Sequence, residues 1–340
     1  MVEGAWAGVT ALGTAIVVTP LVRWIALKKG WKHHPDPNKW VRKANPHSIA
    51  MGGGLALWAG IIAAVGGQKT PLLILLATLA LLVGLYDDLR YSSPWFRLFV
   101  HALLGGAVVW KIGQVQGLSP GLSVPLTVFG VVGLINAVNM MDNMDGVASS
   151  VMAVAMIGYA GLGWFTHNDS LVGWSLAIAG ACLGFWIYNK PPARIFMGDA
   201  GSVMLGFLLA VVGIWASYGE YPHVVGRLLA PFFSAGLFIA DTTFVVLWRW
   251  GHGRAIMQGD RNHLSHRLAT WLGSEWRANG ALFALQLLLV TLSWSIAMVS
   301  LPAAIGLAAT GVAAMGWLFQ RLWDVVPIPP WVGMEGEKGG

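Results

Sequence analysis

A long succession of apolar runs decides the solvent in which this chain can fold. A hydrocarbon core of about 30 Å takes roughly 20 residues of helix to cross, and on that measure the sequence holds about eleven runs. They lie near 5–27, 50–67, 70–86, 95–112, 121–139, 147–166, 171–189, 200–217, 227–248, 281–300 and 303–320. The last two, divided by Leu301-Pro302, leave room for a re-entrant segment, which would bring the total to ten. Composition agrees: 56% of residues are hydrophobic and 11% charged, where a soluble domain carries about 25% charged. The expected fold class is an all-α integral membrane protein, a polytopic bundle of about 10–11 transmembrane helices. One domain covers 1–326, and 327–340 reads as a disordered tail. The run 5–27 has no basic segment ahead of it and many further runs behind it, so it reads as a helix rather than a signal peptide.

A formal charge of +6 would suggest nucleic acid in a soluble protein, but here the basic residues are parcelled into loops. The loops 23–43, 90–97, 190–194 and 249–277 hold sixteen Lys and Arg, and those of the opposite face hold Lys69, Lys111 and Arg227. The positive-inside rule then places the first group in the cytoplasm and the N-terminus outside, and nucleic acid is not an expected partner. The lone Cys182 excludes an internal disulfide framework. Gly4/Gly8 and Gly180/Gly184 have the spacing of close helix packing.

Four polar clusters interrupt the apolar pattern, each at or just beyond the end of a run. They are GLYDDLR (84–90), NAVNMMDNMDG (136–146), IFMGDAGS (195–202) and GDRNHLSHRL (259–268). On the loop assignment above all four fall on the cytoplasmic face, although hydropathy alone set the runs. An ionised group near hydrocarbon costs at least about 2.5 kcal/mol, so such clusters are functional-site hypotheses. Asp87, Asp88, Asp142, Asp145 and Asp199, with amides and glycine turns beside them, suggest Mg²⁺ holding phosphate oxygens. Arg261, His263, His266 and Arg267 supply the positive donors that an anionic diphosphate needs. Structural readings compete at each position: Asp87 could equally cap a helix end, and Asp199 could cap the next. Zinc on His263 and His266 is disfavoured, because no Cys is near and the acids suit a harder ion. No Walker-type phosphate loop is present.

Taken together and in this order, the clusters resemble the polyprenyl-phosphate N-acetylhexosamine-1-phosphate transferase family. GLYDDLR is similar to its paired-aspartate motif, NAVNMMDNMDGVA to its N-x-x-N-x-x-D-G-x-D-G motif and IFMGDAGSVMLGF to its F-x-G-D-x-G-S segment. DRNHLSHRL resembles the H-L-H-H-R-L loop of the N-acetylglucosamine branch rather than the triple-histidine loop of the muramoyl-pentapeptide branch. Three positions depart from the pattern: Asn143 stands for Gly, Ser265 for the middle histidine and Ile49 for Pro.

The resemblance implies Asp199 and Asn139 as Mg²⁺ ligands, with Mn²⁺ as an alternative ion, and Asp87, Asp88 and Asp142 as catalytic residues. It implies Phe196 stacked on uracil with Asp145 near its edge. His263, His266 and Arg267 would hold the diphosphate, with Arg261, Arg42 and Lys43 as further substrate-binding residues. The implied reaction moves a sugar-1-phosphate, first of all N-acetylglucosamine-1-phosphate, from a UDP-N-acetylhexosamine to undecaprenyl phosphate and releases UMP. The implied setting is the bacterial plasma membrane, where the product would initiate envelope glycan synthesis; a homodimer is compatible. The same reaction with UDP-muramoyl-pentapeptide is the runner-up. An anionic-solute transporter would place its polar groups near the midplane rather than at one face.

Overall fold

The computed structural model describes residues 2–33, 49–67, 70–90, 92–257 and 260–327. Arg42, Lys43 and residues 328–340 lie outside the described residues. In chain order the elements are α1 (Val2–Lys29), β1 (Lys32–His33), β2 (Ile49–Ala50), α2 (Gly53–Val65), α3 (Pro71–Leu89), α4 (Pro94–Lys111) and α5 (Pro120–Met141). There follow α6 (Val147–Phe165), α7 (Asp169–Asn189), α8 (Gly198–Ala216), α9 (Val224–Ser234), α10 (Gly236–Gly251), α11 (Leu264–Leu272), α12 (Glu275–Met298) and α13 (Leu301–Leu322). Proline occupies the first turn of α3, α4, α5 and α13, where its missing N–H is one of those that a helix start leaves unbonded anyway.

Among the described residues, eight helices are long and apolar enough to cross a membrane, and a bent pair makes nine. The protein is therefore a multi-pass, all-α membrane protein, with one small exception to the helices. β1 pairs antiparallel with β2, and Ala50 bridges to Ile195, tying this hairpin to the approach of α8. Every apolar run read from the sequence finds a helix. The irregular one, however, is not among the last two, because α12 and α13 are continuous.

The break falls within the run 227–248, where α9 and α10 meet at 74°. Broken backbone at membrane depth survives only where its polar groups find partners, and α12 supplies them. Gln286 donates to the Ser234 carbonyl (2.7 Å) and accepts from the Leu237 N–H (3.2 Å). Ser293 donates to the Ala230 carbonyl (2.6 Å), and the Tyr159 hydroxyl donates to the Pro231 carbonyl (2.8 Å).

Burial separates inner from outer helices: 83% of the apolar window of α8 is buried, against 11% for α13. α8 packs on α2, α3, α5 and α6, and thus stands at the centre of the fold with its N-terminus among the ends of the others. On the outer side α1 lies against α7 through the glycines read from the sequence. A Cβ on Gly180 would meet the Gly8 carbonyl oxygen at 2.1 Å, so the two backbones touch.

Candidate active site

Asp87 and Asp88 close the C-terminal turn of α3, and consecutive residues on a helix point to different neighbours. Asp88 turns to the start of α8. Its Oδ1 accepts from the Asp199 N–H (2.8 Å) and its Oδ2 from the Ala200 N–H (3.0 Å). Those are donors that a helix N-terminus leaves free, and a carboxylate there also meets the positive end of the helix dipole. The sequence alternative made Asp87 the helix-end cap; it is Asp88 that bonds a helix start, and it does so from another helix. Glycine makes the approach possible: a Cβ on Gly84 would sit 2.1 Å from the Asp199 carbonyl oxygen. Gly198, at φ +71, takes the left-handed turn into α8, and a Cβ there would meet the Asp88 carboxylate at 2.5 Å.

Asp87 faces α4. Its Oδ1 accepts from the N–H and hydroxyl of Ser92, and its Oδ2 from the Arg97 guanidinium at 2.8 Å. The same Arg97 nitrogen lies 3.9 Å from Asp199 Oδ2, so one guanidinium spans the carboxylates of α3 and α8. From the end of α5, Asn139 donates to Asp199 Oδ1 (2.8 Å) and to the Ser202 hydroxyl (2.9 Å). One turn earlier Asn136 contacts His101 Nδ1 (3.3 Å), and among the described residues the opposite ring nitrogen of this buried histidine has no hydrogen-bond partner. The first and third polar clusters and Asn139 of the second therefore meet around Asp199.

The turn between α5 and α6 carries Asp142 and Asp145, both buried. Asp145 Oδ2 accepts from the Ala193 N–H (3.0 Å), and its carbonyl accepts from Asn279 of α12 (2.7 Å). Asn143 sends its Oδ1 to the Ser265 hydroxyl (2.6 Å) and its amide nitrogen to the Met140 carbonyl (2.8 Å). Ser265 lies in the first turn of α11, so the fourth cluster joins the second. Phe196 is buried with Ile49 and Ala193, and its backbone bonds to Ala50 and Gly53 (both 2.9 Å) stitch the β-bridge to α2.

The histidine loop has a buried support from α10 and an arginine whose partners are backbone carbonyls. Asp241, buried inside α10, accepts from Leu264 N–H (2.8 Å) and pairs with His263 Nδ1 (2.8 Å), fixing that ring at the start of α11. His266, one turn on, is half-buried. Arg267 is 1% exposed and does not face a diphosphate. It donates to the carbonyls of Leu322, Trp323 and Val325 (2.8, 2.8 and 2.7 Å) and to the Asn262 side chain (2.7 Å). It therefore closes the C-terminal end of α13, where a helix leaves carbonyls unbonded. Burial lowers its pKa to about 10, against the opposing pull of Asp260 and Asp324, so it stays charged at neutral pH. Arg261 is also partly withdrawn from water, which lowers its pKa, with Glu275 acting against the shift.

Sequence reasoning missed Arg97 and undervalued Asp241. A basic residue ten positions after Asp87 in an otherwise apolar helix was the available signal for the first, and an acid within an apolar run for the second. Among the described residues, no group of three or more His, Cys, Asp or Glu side chains is arranged to hold a metal ion. A hard ion that takes one or two carboxylates and fills its remaining positions with substrate phosphate needs no such group. Asp199 beside Asp87 fits that description. Asn139 turns its amide nitrogen to Asp199, and in this geometry it orients that carboxylate.

Residues 70–217 match the family model described as glycosyl transferase family 4, a span that holds α3 to α8 and the whole cluster around Asp199. A Bacillus subtilis (strain 168) protein named as a probable undecaprenyl-phosphate N-acetylglucosaminyl 1-phosphate transferase is 27% identical over 79% of this chain and 78% of its own length. A phospho-N-acetylmuramoyl-pentapeptide-transferase of a Synechococcus species is 30% identical over 85% of this chain and 90% of its own. That of Enterococcus hirae is 27% identical over 79% and 90%. The motifs that join at Asp199 thus lie in the matched span, and the chain belongs to glycosyl transferase family 4 as a membrane-embedded enzyme of the transferase class.

Proposed function

We propose that this protein transfers N-acetylglucosamine-1-phosphate from its UDP-sugar to undecaprenyl phosphate, releases UMP, and uses Mg²⁺, at the cytoplasmic face of a bacterial plasma membrane. The observation that carries this reading is the meeting of Asp87, Arg97, Asn139 and Asp199 where four helices end or begin. Such a cluster of acids with a guanidinium suits phosphates handled at the membrane surface. The Bacillus subtilis relative supports N-acetylglucosamine as the sugar. The 30% identity to a muramoyl-pentapeptide enzyme favours the larger UDP-sugar as the second reading.

An apolar cavity of about 470 Å³ supports a lipid acceptor. It lies between α5, α8 and the α9–α10 bend, lined by residues such as Leu126, Leu134, Ile214, Leu229 and Phe232. Ala137 also lines it, near the end of α5 that carries Asn139, so a polyprenyl chain lying there would run toward the level of the polar cluster. The bend held by Gln286 is what opens this side of the bundle.

In the reaction an oxygen of the lipid phosphate attacks the sugar-bearing phosphorus, the bond from that phosphorus to the UMP oxygen breaks, and UMP leaves with the electron pair. The anomeric carbon is untouched. A phosphomonoester has a second pKa of about 6, so the nucleophile is largely deprotonated at neutral pH. Arg97 sits between Asp87 and Asp199, placed to meet a phosphate oxygen. Asp199, oriented by Asn139, would hold Mg²⁺, which when bound offsets the charge of the diphosphate. His263 and His266 at the start of α11 would contact the donor diphosphate, and Asp145 would lie near the base.

The test is UMP release by purified protein given a panel of UDP-sugars with and without the lipid phosphate. The reading requires UDP-N-acetylglucosamine as the preferred donor, dependence on Mg²⁺ and negligible release without lipid. Release that ignores the lipid would reject it.

A further inference from the structure

We propose that the Asn143–Ser265 hydrogen bond is a latch that sets the width of the donor site, and that both are positioning residues. The inference rests on the functional reading above for what the site holds, and on geometry for the latch itself. Asn143 lies between Asp142 and Asp145 in the α5–α6 turn. Ser265, 2% exposed, lies between His263 and His266. The 2.6 Å bond between their side chains therefore joins the acidic turn to the histidine-bearing helix start across 122 residues of sequence.

The amide is aimed rather than free to turn. Its nitrogen donates to the Met140 carbonyl at the end of α5 (2.8 Å), which leaves Oδ1 as the atom that faces Ser265. The start of α11 is held on its other side by Asp241, through Leu264 N–H and His263. With Asp241 fixing the helix start to α10, the latch ties it to the turn that carries Asp142 and Asp145.

Two of the three departures from the family motifs fall at these positions, and they meet each other. A glycine at 143 has no side chain to bond, so the latch belongs to the pair of residues and not to either alone. The acceptor cavity lies along α5, α8 and the α9–α10 bend, away from α11. The latch should therefore govern the donor and leave the lipid alone.

The experiment is a double-mutant cycle with Ser265→Ala, Asn143→Ala and both together, read by steady-state UMP release and by amide hydrogen exchange. A buried neutral hydrogen bond is worth roughly a factor of 5 to 10. Ser265→Ala should raise the donor KM by about that factor and leave the lipid KM unchanged, and Ser265→Thr, which keeps the hydroxyl, should restore it. In the Asn143→Ala background Ser265→Ala should add no further change. Exchange should be reciprocal: Ser265→Ala speeds amides in 142–146, and Asn143→Ala speeds those in 264–268. Independent, multiplying losses in KM, or wild-type exchange in both segments, would overturn the latch. If the wild type releases no UMP from any UDP-sugar, the functional reading fails by itself, and the exchange measurement still decides whether the latch exists.

Discussion

Asp88 offers the sharpest test of how the paired aspartates divide their work, because the sequence resemblance makes both catalytic while the structure gives Asp88 two backbone partners. Replacing it by alanine removes both bonds to the start of α8. A hydrogen bond to a charged group is worth about 1.5–3 kcal/mol, and loss of a helix cap costs about 0.5–2. Water can reach this half-buried turn and restores part of the loss, so about 3 kcal/mol is a fair expectation for Asp88→Ala. Asp88→Asn keeps one acceptor and sets an amide NH₂ against the other N–H, so it should lose about half as much. One of the two N–H groups belongs to Asp199, so the loss reaches the site as displacement; misplacement by about 1 Å costs on the order of 100-fold in rate. UMP release should then fall roughly tenfold for Asn and roughly a hundredfold for Ala, with thermal stability in detergent falling in the same order. Asp88→Asn with wild-type stability and no turnover would refute the reasoning, because a cap that costs nothing when damaged is not a cap.

Arg97→Lys keeps the charge but takes the cation off the position from which Arg97 Nη1 meets both Asp87 and Asp199, so UMP release should drop at least about tenfold; full activity would remove Arg97 from the site. Gln286→Leu leaves the Ser234 carbonyl and the Leu237 N–H buried and unpaired, each costing about 1–3 kcal/mol. Its melting temperature should fall clearly, and an unchanged one would show that the bend does not depend on α12. Burial alone would raise the pKa of Asp260, but bonds from Arg249 and Asn262 outweigh it and hold the value at about 2. A depressed carboxylate stabilises the folded state above its ordinary value of 3.8 and loses that effect as pH falls towards 2. The stability gap between wild type and Asp260→Asn should be constant above about pH 4 and shrink below it; a gap that persisted at pH 2 would contradict the assignment.

What the sequence disclosed follows from the range of the forces involved. Hydropathy acts over one helix, so every apolar run became one, and the Gly8/Gly180 contact could be read because the helix–helix approach leaves small residues in the string. Charge sidedness is equally local to each loop, and it brought the four clusters to one end. The α9–α10 break escaped because part of its cause is remote: Pro231 and Gly236 lie in the run 227–248, but the side chain that satisfies its freed backbone is Gln286, on another helix. Arg267 was misassigned for a similar reason. A guanidinium beside two histidines reads as an anion clamp, yet its partners are backbone carbonyls of residues 322–325, and carbonyls leave no mark in a sequence. Asp88 shows the same limit, since its partners are N–H groups.

The charges of the cluster explain why such an acid-rich site can sit at a membrane surface at all. Asp88 is compensated by the start of α8, through N–H groups and helix dipole, and adds little repulsion to the cavity. Asp87 and Asp199 both lie beside the guanidinium of Arg97, so the acids of α3 and α8 meet a positive charge from α4. A diphosphate donor and a phosphate acceptor would both bring further negative charge to this cluster. On the proposed reading a divalent cation beside Asp199 would offset the charge that the donor and acceptor phosphates bring. Asp87 would then hold rather than attack: with Oδ1 engaged by Ser92 and Oδ2 by Arg97, it could act as nucleophile only by releasing the guanidinium beside it.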